Sequence, residues 1–185
     1  AELFVSLLRT DKSHRVGLVT FSTTATPDLS LAAVNAGTKG TLIGPPDPGL
    51  IDLIGAGGNT TIGGGLQTAS TFFPPPGPAT NSRSVLLLTD GLQNTNPNIE
   101  TGEGSLGSAV VNVIGFGTEA SLDGPRLTRL AREHRGIYWR AEEGLSLKKY
   151  FALAFGNIFD FGTSLDPRFS LAAGVMSAAP IDVRV

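Results

Sequence analysis

Two places in this sequence of 185 residues bring together side chains able to do chemistry. Asp90, in LLLTDG, puts a carboxylate directly after an apolar run, and Gly91 follows it. Thr60 and Thr61 lie in the glycine-rich loop Gly55 to Gly65 (GAGGNTTIGGG), at the start of a predicted helix. Carboxylate and hydroxyl oxygens on converging loops suit a hard cation such as Mg²⁺, which takes oxygen ligands in octahedral geometry and keeps several waters. Each residue also has a purely structural reading, Asp90 as a turn or N-cap aspartate and Thr60 as a helix N-cap.

Other chemistries find less support. The glycine loop has no GxxxxGK[ST] lysine and no GxGxxG in register, which argues against a nucleotide cradle. There is no GxSxG, no HExxH and no cysteine, so the usual hydrolytic signatures, thiol catalysis and thiolate metal sites are missing. His14 and His134 fall on a polar turn and at a helix end and read as surface histidines. Arg126, Arg129, Arg132 and Arg135 recur every three residues and read as a solvated outer helix face, since leucines take the inner one.

Elements to position these residues follow from period and punctuation. Leu3, Phe4, Leu7 and Leu8 have helical spacing. Arg15 to Phe21 (RVGLVTF) reads as a strand, and Pro27 places the returning strand at a sheet edge. Gly37 to Gly58 reads as a Gly- and Pro-rich connection with one short helical piece around Leu50 to Ile54. A helix over Thr61 to Phe73 follows, its three glycines implying close backbone packing, and FFPPPGP ends it. Ser84 to Thr89 (SVLLLT) and Ala109 to Gly115 (AVVNVIG) are continuous apolar runs, as expected of parallel strands covered on both faces. A helix opening near Ser121 with Pro125 in its first turn, a strand over Gly136 to Arg140 and a last helix through Leu147 to Phe155 complete the pattern. Strand and helix alternate, which predicts a doubly wound, mostly parallel α/β sheet with helices on both faces. The formal charge of −2 and 41% apolar composition fit one globular domain, offer no basic footprint for nucleic acid, and include no apolar run of membrane-spanning length.

Four blocks, RVGLVTFSTTA, GNTTIGGGLQTA, SVLLLTDGLQN and VNVIGFGTEAS, occur in the order and spacing of a von Willebrand factor A domain, and the chain resembles bacterial members of that family. The resemblance covers roughly residues 1–159, with 160–185 read as a C-terminal extension opening an adjoining β-rich segment. It implies a Rossmann-like sheet with one antiparallel edge strand and a metal-ion-dependent adhesion site at the sheet's carboxyl end. That site combines a DxSxS loop after the family's first strand, a threonine matched by Thr60 and an aspartate matched by Asp90. A divalent ion there, usually Mg²⁺, offers an open position to an acidic group of a protein partner, which implies recognition without catalysis. Some bacterial members instead regulate a partner AAA+ ATPase or a metal-inserting enzyme, and that is the alternative reading.

This sequence contains neither the family's central first strand nor its DxSxS loop, so the metal site is expected to be incomplete and to bind an ion weakly or not at all. Loss of that strand is expected to leave a gap between Arg15 to Phe21 and Ser84 to Thr89. Asp160 to Ser164 (DFGTS) and the terminal PIDVRV are the local segments with some likeness to the lost loop and strand.

Overall fold

The computed structural model describes residues 1–44, 48–55, 57–73 and 82–159. The expectations placed on Asp160 to Ser164 and on PIDVRV, and the boundary at 159/160, fall outside or at the edge of these residues.

Five strands and six α-helices make up the described chain: α1 (Glu2–Leu7), β1 (Arg15–Phe21), β2 (Ala25–Ala33), α2 (Ala36–Ile43), α3 (Ile62–Ser70), β3 (Ser84–Thr89), α4 (Ile99–Glu103), β4 (Val110–Phe116), α5 (Gly124–Glu133), β5 (Tyr138–Ala141) and α6 (Gly144–Phe159), strictly alternating from α3 onward. Strands β3, β4 and β5 form a parallel sheet in that order, with Ser84 opposite Val110 and Val113 opposite Tyr138. β1 and β2 form a separate antiparallel pair, in which Pro27 lies on β2 opposite Val19. Proline is tolerated there because, among the described residues, β2 pairs on one side alone.

Alternation along the strands divides the core in two. Leu87, Val111 and Val113 face α3, α4 and α5 and pack with Ile62, Leu66, Ile99 and Leu130. Leu86, Leu88 and Ile114 face the other way, onto Phe151 and Ala154 of α6 and Phe4 of α1. The mixed α/β fold with helices on both faces is therefore as expected, with the strands in two sheets.

Several local expectations are corrected. Residues 50–53 form turns, and the helix of this connection is α2. Asn35 starts α2 by accepting from Thr38 N, whereas Asp52 accepts from Gly49 N and closes a turn. Helix α4 has no counterpart in the sequence pattern, since a five-residue helix has too few apolar positions to show a period. Near Ser121 a 3₁₀ turn (Glu119–Ser121) comes first, and α5 begins after the Asp123 cap, with Pro125 in its first turn as expected. The close packing implied by the glycines of α3 is present, for a Cβ on Gly63 would stand 1.9 Å from the Asn98 carbonyl oxygen of α4's N-cap.

The arginine stripe is a solvated face at Arg132 and Arg135, which are exposed, whereas Arg126 and Arg129 are half-buried. Arg126 and Arg129 reach across to α4, where Arg126 Nε bonds Glu100 Oε1 at 2.7 Å and Arg129 Nη1 bonds Glu103 Oε1 at 2.8 Å. Arg135 Nη2 donates to the Ser108 carbonyl. The histidines are half-buried, not surface residues. His134 Nδ1 lies 3.2 Å from the Ala109 carbonyl, and the His14 ring packs on Phe159 with centroids 4.4 Å apart, because the end of α6 folds over the start of β1.

Candidate functional site at the carboxyl ends of the strands

In an open α/β sheet the carboxyl ends of the strands carry the binding crevice, because the loops there diverge to opposite faces. Three loops meet at that end. Thr61 N donates to the Ser22 carbonyl just beyond β1, and Asn59 N donates to Thr23 Oγ1, which tie the glycine loop to β1. Asn94 Oδ1 accepts from Thr60 N at 2.7 Å, while Asn94 N and Thr95 N donate back to the Thr60 carbonyl. The loop after β3 is thereby fastened to both the N–H and the carbonyl of Thr60.

The two threonines have different tasks. Thr61 is buried, its Oγ1 accepts from Gly64 N, and it is the N-cap of α3. Thr60 is thus released from capping, and a Cβ on Gly91 would lie 3.1 Å from its Oγ1, which sets that hydroxyl against the Asp90–Gly91 turn. Asp90 directly follows β3 and is exposed. The other end of the turn is held from below, where the buried Thr89 hydroxyl donates to the Gly91 carbonyl at 3.2 Å. Gly117, after β4, brings a third strand end close, since a Cβ there would be 3.9 Å from the Asp90 carbonyl oxygen.

Gln93 and Asn94 are the positioning residues that sequence reasoning did not single out. Gln93 Oε1 accepts from Gly63 N at the first turn of α3, and its Nε2 donates to the carbonyls of Thr95 and Pro97. An amide was the available signal, since its paired donor and acceptor can bridge a helix start and a loop at once.

The donors at this corner, one carboxylate and one hydroxyl, are of the hard-oxygen kind a divalent cation takes. They are too few to enclose one, and among the described residues no three His, Asp or Glu side chains cluster at metal-binding distance. The site thus fits a hard cation as part of a coordination shell.

Strands with helices on both faces, and loops meeting at the strands' carboxyl ends, define an open-sheet α/β domain. Residues 1–152 match the von Willebrand factor type A domain, and the chain belongs to that family. No curated protein matches the sequence significantly. Among solved structures, the chain is similar to an aerotolerance-related membrane protein from Bacteroides fragilis at 17% identity and TM-score 0.59, covering 84% of each chain. A von Willebrand factor type A protein from Catenulispora acidiphila aligns over 83% of this chain and 35% of its own, with 15% identity and TM-score 0.64. The proximal thread matrix protein 1 of the mussel byssus, solved with zinc in its MIDAS motif, aligns over 83% of this chain and 37% of its own, with 24% identity and TM-score 0.65. The chain therefore spans little more than a third of the Catenulispora and mussel proteins, and at these identities the likeness concerns the fold alone. No helix among the described residues is long and apolar enough to cross a membrane.

Proposed function

We infer that this chain is a non-enzymatic protein-interaction module, and that Thr60 and Asp90 supply part of a divalent-cation site through which an acidic group of a protein partner is held. Placement of the Thr60 hydroxyl against the turn carrying Asp90 supports this most directly. Family membership adds to it, as does a structural relative described with a zinc-occupied MIDAS motif. Mg²⁺ suits the oxygen-only donors.

In this reading Asp90 binds or hydrogen-bonds the ion's water shell, Thr60 gives a neutral oxygen, and Asn94 and Gln93 hold both loops in place. The ion itself would supply the positive charge that a partner carboxylate needs. Recognition of an acidic partner without a metal is unfavourable here, because Asp90 is itself an exposed carboxylate.

Paramagnetic Mn²⁺ tests the reading in solution. At millimolar Mn²⁺ the amide signals of residues 59–61 and 90–92 should broaden before all others, and Asp90→Ala should remove that selectivity. Broadening centred elsewhere, or unchanged in Asp90→Ala, would overturn the assignment.

A further inference from the structure

Asp90 is followed by Gly91, and the sequence contains one other Asp-Gly pair, Asp123–Gly124. In such a pair the glycine nitrogen can attack the side-chain carboxyl before it, because glycine sets no Cβ beside the attacking atom and leaves its own backbone able to turn. A folded chain permits or prevents this according to how firmly it holds the pair. The two pairs differ in that respect.

Asp123 is fixed through side chain and backbone together. Its Oδ1 accepts from Arg126 N at 3.1 Å as the N-cap of α5, and its carbonyl accepts from Leu127 N at 2.9 Å. Gly124 is the first residue of that helix, which sets its backbone angles. Asp90 and Gly91, in contrast, lie beyond β3 and outside any helix. Asp90 is exposed, and among the described residues no hydrogen bond or ion pair engages its carboxylate. The Gly91 N–H makes one long contact, 3.4 Å to Thr89 Oγ1. Carboxyl and nitrogen can therefore close on each other there, in contact with solvent.

We propose that Asp90–Gly91 is a site of spontaneous isomerisation to isoaspartate in the folded chain, and that Asp123–Gly124 is protected from it. The Gly91 nitrogen forms a bond to Asp90 Cγ, and one carboxyl oxygen leaves as water, taking the peptide proton and a proton from solvent. A succinimide ring results. Water then opens the ring at either carbonyl. Addition at Cγ restores aspartate, whereas addition at the main-chain carbonyl breaks that carbon's bond to nitrogen and leaves the chain running through Cβ and Cγ. In both cases the nitrogen regains its proton, the new carboxylate returns one to solvent, and the mass of the chain is unchanged.

The approach of the two loops keeps glycine at this position. A Cβ on Gly91 would lie 3.1 Å from Thr60 Oγ1, so a side chain that hindered ring closure would crowd the hydroxyl set against the turn. Isomerisation adds a carbon to the main chain of a turn pinned by the Thr89 hydroxyl, and so shifts the carboxylate relative to Thr60. The corner loses its arrangement as the protein ages. What that does to a bound cation rests on the function proposed above, whereas the chemistry does not.

The test keeps one sample of the full chain folded, at neutral pH without metal ions, and a second unfolded in guanidinium chloride at the same pH. Electron-transfer fragmentation of the digested chain distinguishes isoaspartate from aspartate at each position. In denaturant the two pairs should convert at similar rates. In the folded chain Asp90 should convert about fivefold or more faster than Asp123, the ratio that an N-cap of ordinary strength implies. Asp90→Glu, which cannot close the same ring, should remove the main signal and leave that at Asp123 unchanged. Equal conversion at the two positions in the folded chain would overturn the proposal, and so would an Asp90 that stays intact when folded but converts in denaturant. The readout needs no ion, so its failure is distinct from failure of the cation reading.

Discussion

Thr60 and Asn94 are joined reciprocally: Thr60 N donates to Asn94 Oδ1 at 2.7 Å, and Asn94 N donates to the Thr60 carbonyl at 3.0 Å. The two residues belong to loops on either side of α3 and β3, and their bonds fix both backbone polar groups of Thr60. Only the Thr60 hydroxyl is left to act outward, which is how a loop rich in glycine can still present an oxygen at a defined place.

Asn94→Ala should therefore lower stability by about 0.5 to 1.5 kcal/mol, the usual net value of such a hydrogen bond. Asn94→Asp, which keeps an acceptor for Thr60 N, should lose less. Urea unfolding of the three proteins measures both. Equal losses for Ala and Asp would show that the side-chain acceptor is not what matters.

The Asp90 corner leads to a second expectation. Two protein oxygens leave an octahedral ion mostly to water, so this chain should bind Mg²⁺ weakly or not at all in calorimetric titration. Saturable micromolar binding would contradict this and would require further ligands from residues beyond those described.

How much of this was legible in the sequence depended on how local each cause is. SVLLLT and AVVNVIG stood out because burial on two faces removes polar residues altogether, and both form strands of the parallel sheet. Thr60 and Asp90 stand out in the sequence because each sits where an apolar run or a helix begins or ends, and the structure places both in the loops at the strands' carboxyl ends. Helix α2 was missed because Gly37 and Gly40 mask it and its start depends on the single Asn35 cap. The ion pairs of Arg126 and Arg129 are not legible in the sequence because their partners, Glu100 and Glu103, lie 26 residues earlier in a helix too short to show a period. The roles of Gln93 and Asn94 were invisible for the same reason, since their bonds to Gly63 and Thr60 span 30 and 34 residues.

Contact between α3 and α4 predicts opposite signs for two glycine substitutions. Gly63→Ala would force a methyl to within 1.9 Å of the Asn98 carbonyl, and the helices must separate at a cost of about 1 to 3 kcal/mol or more. In α2, a methyl on Gly40 would meet nothing within 4 Å, so Gly40→Ala should stabilise by about 0.4 to 1 kcal/mol through the unfolded chain. Thermal and urea unfolding of both variants checks the pair, and a stabilised Gly63→Ala would refute the backbone contact.

The ion pairs between α4 and α5 predict an acid-dependent component of stability. The Arg126 guanidinium bonded to Glu100 holds that carboxyl at about 2, below its ordinary value of 4.5. A carboxylate depressed on folding stabilises the native state wherever the unfolded chain would also be ionised. The contribution is thus complete above about 4.5 and disappears as the pH falls towards about 2, where both states are protonated. Glu100 is 44% exposed, and solvent screening keeps the effect to under about 1 kcal/mol. Comparison of the native chain with Glu100→Gln by urea unfolding between pH 6 and pH 2.5 measures it. The gap in stability should be widest at pH 6 and narrow steadily with acid, and it should shrink at high salt. A gap that stays constant through acid would show that Glu100 acts by packing its stem against α5, not by its charge.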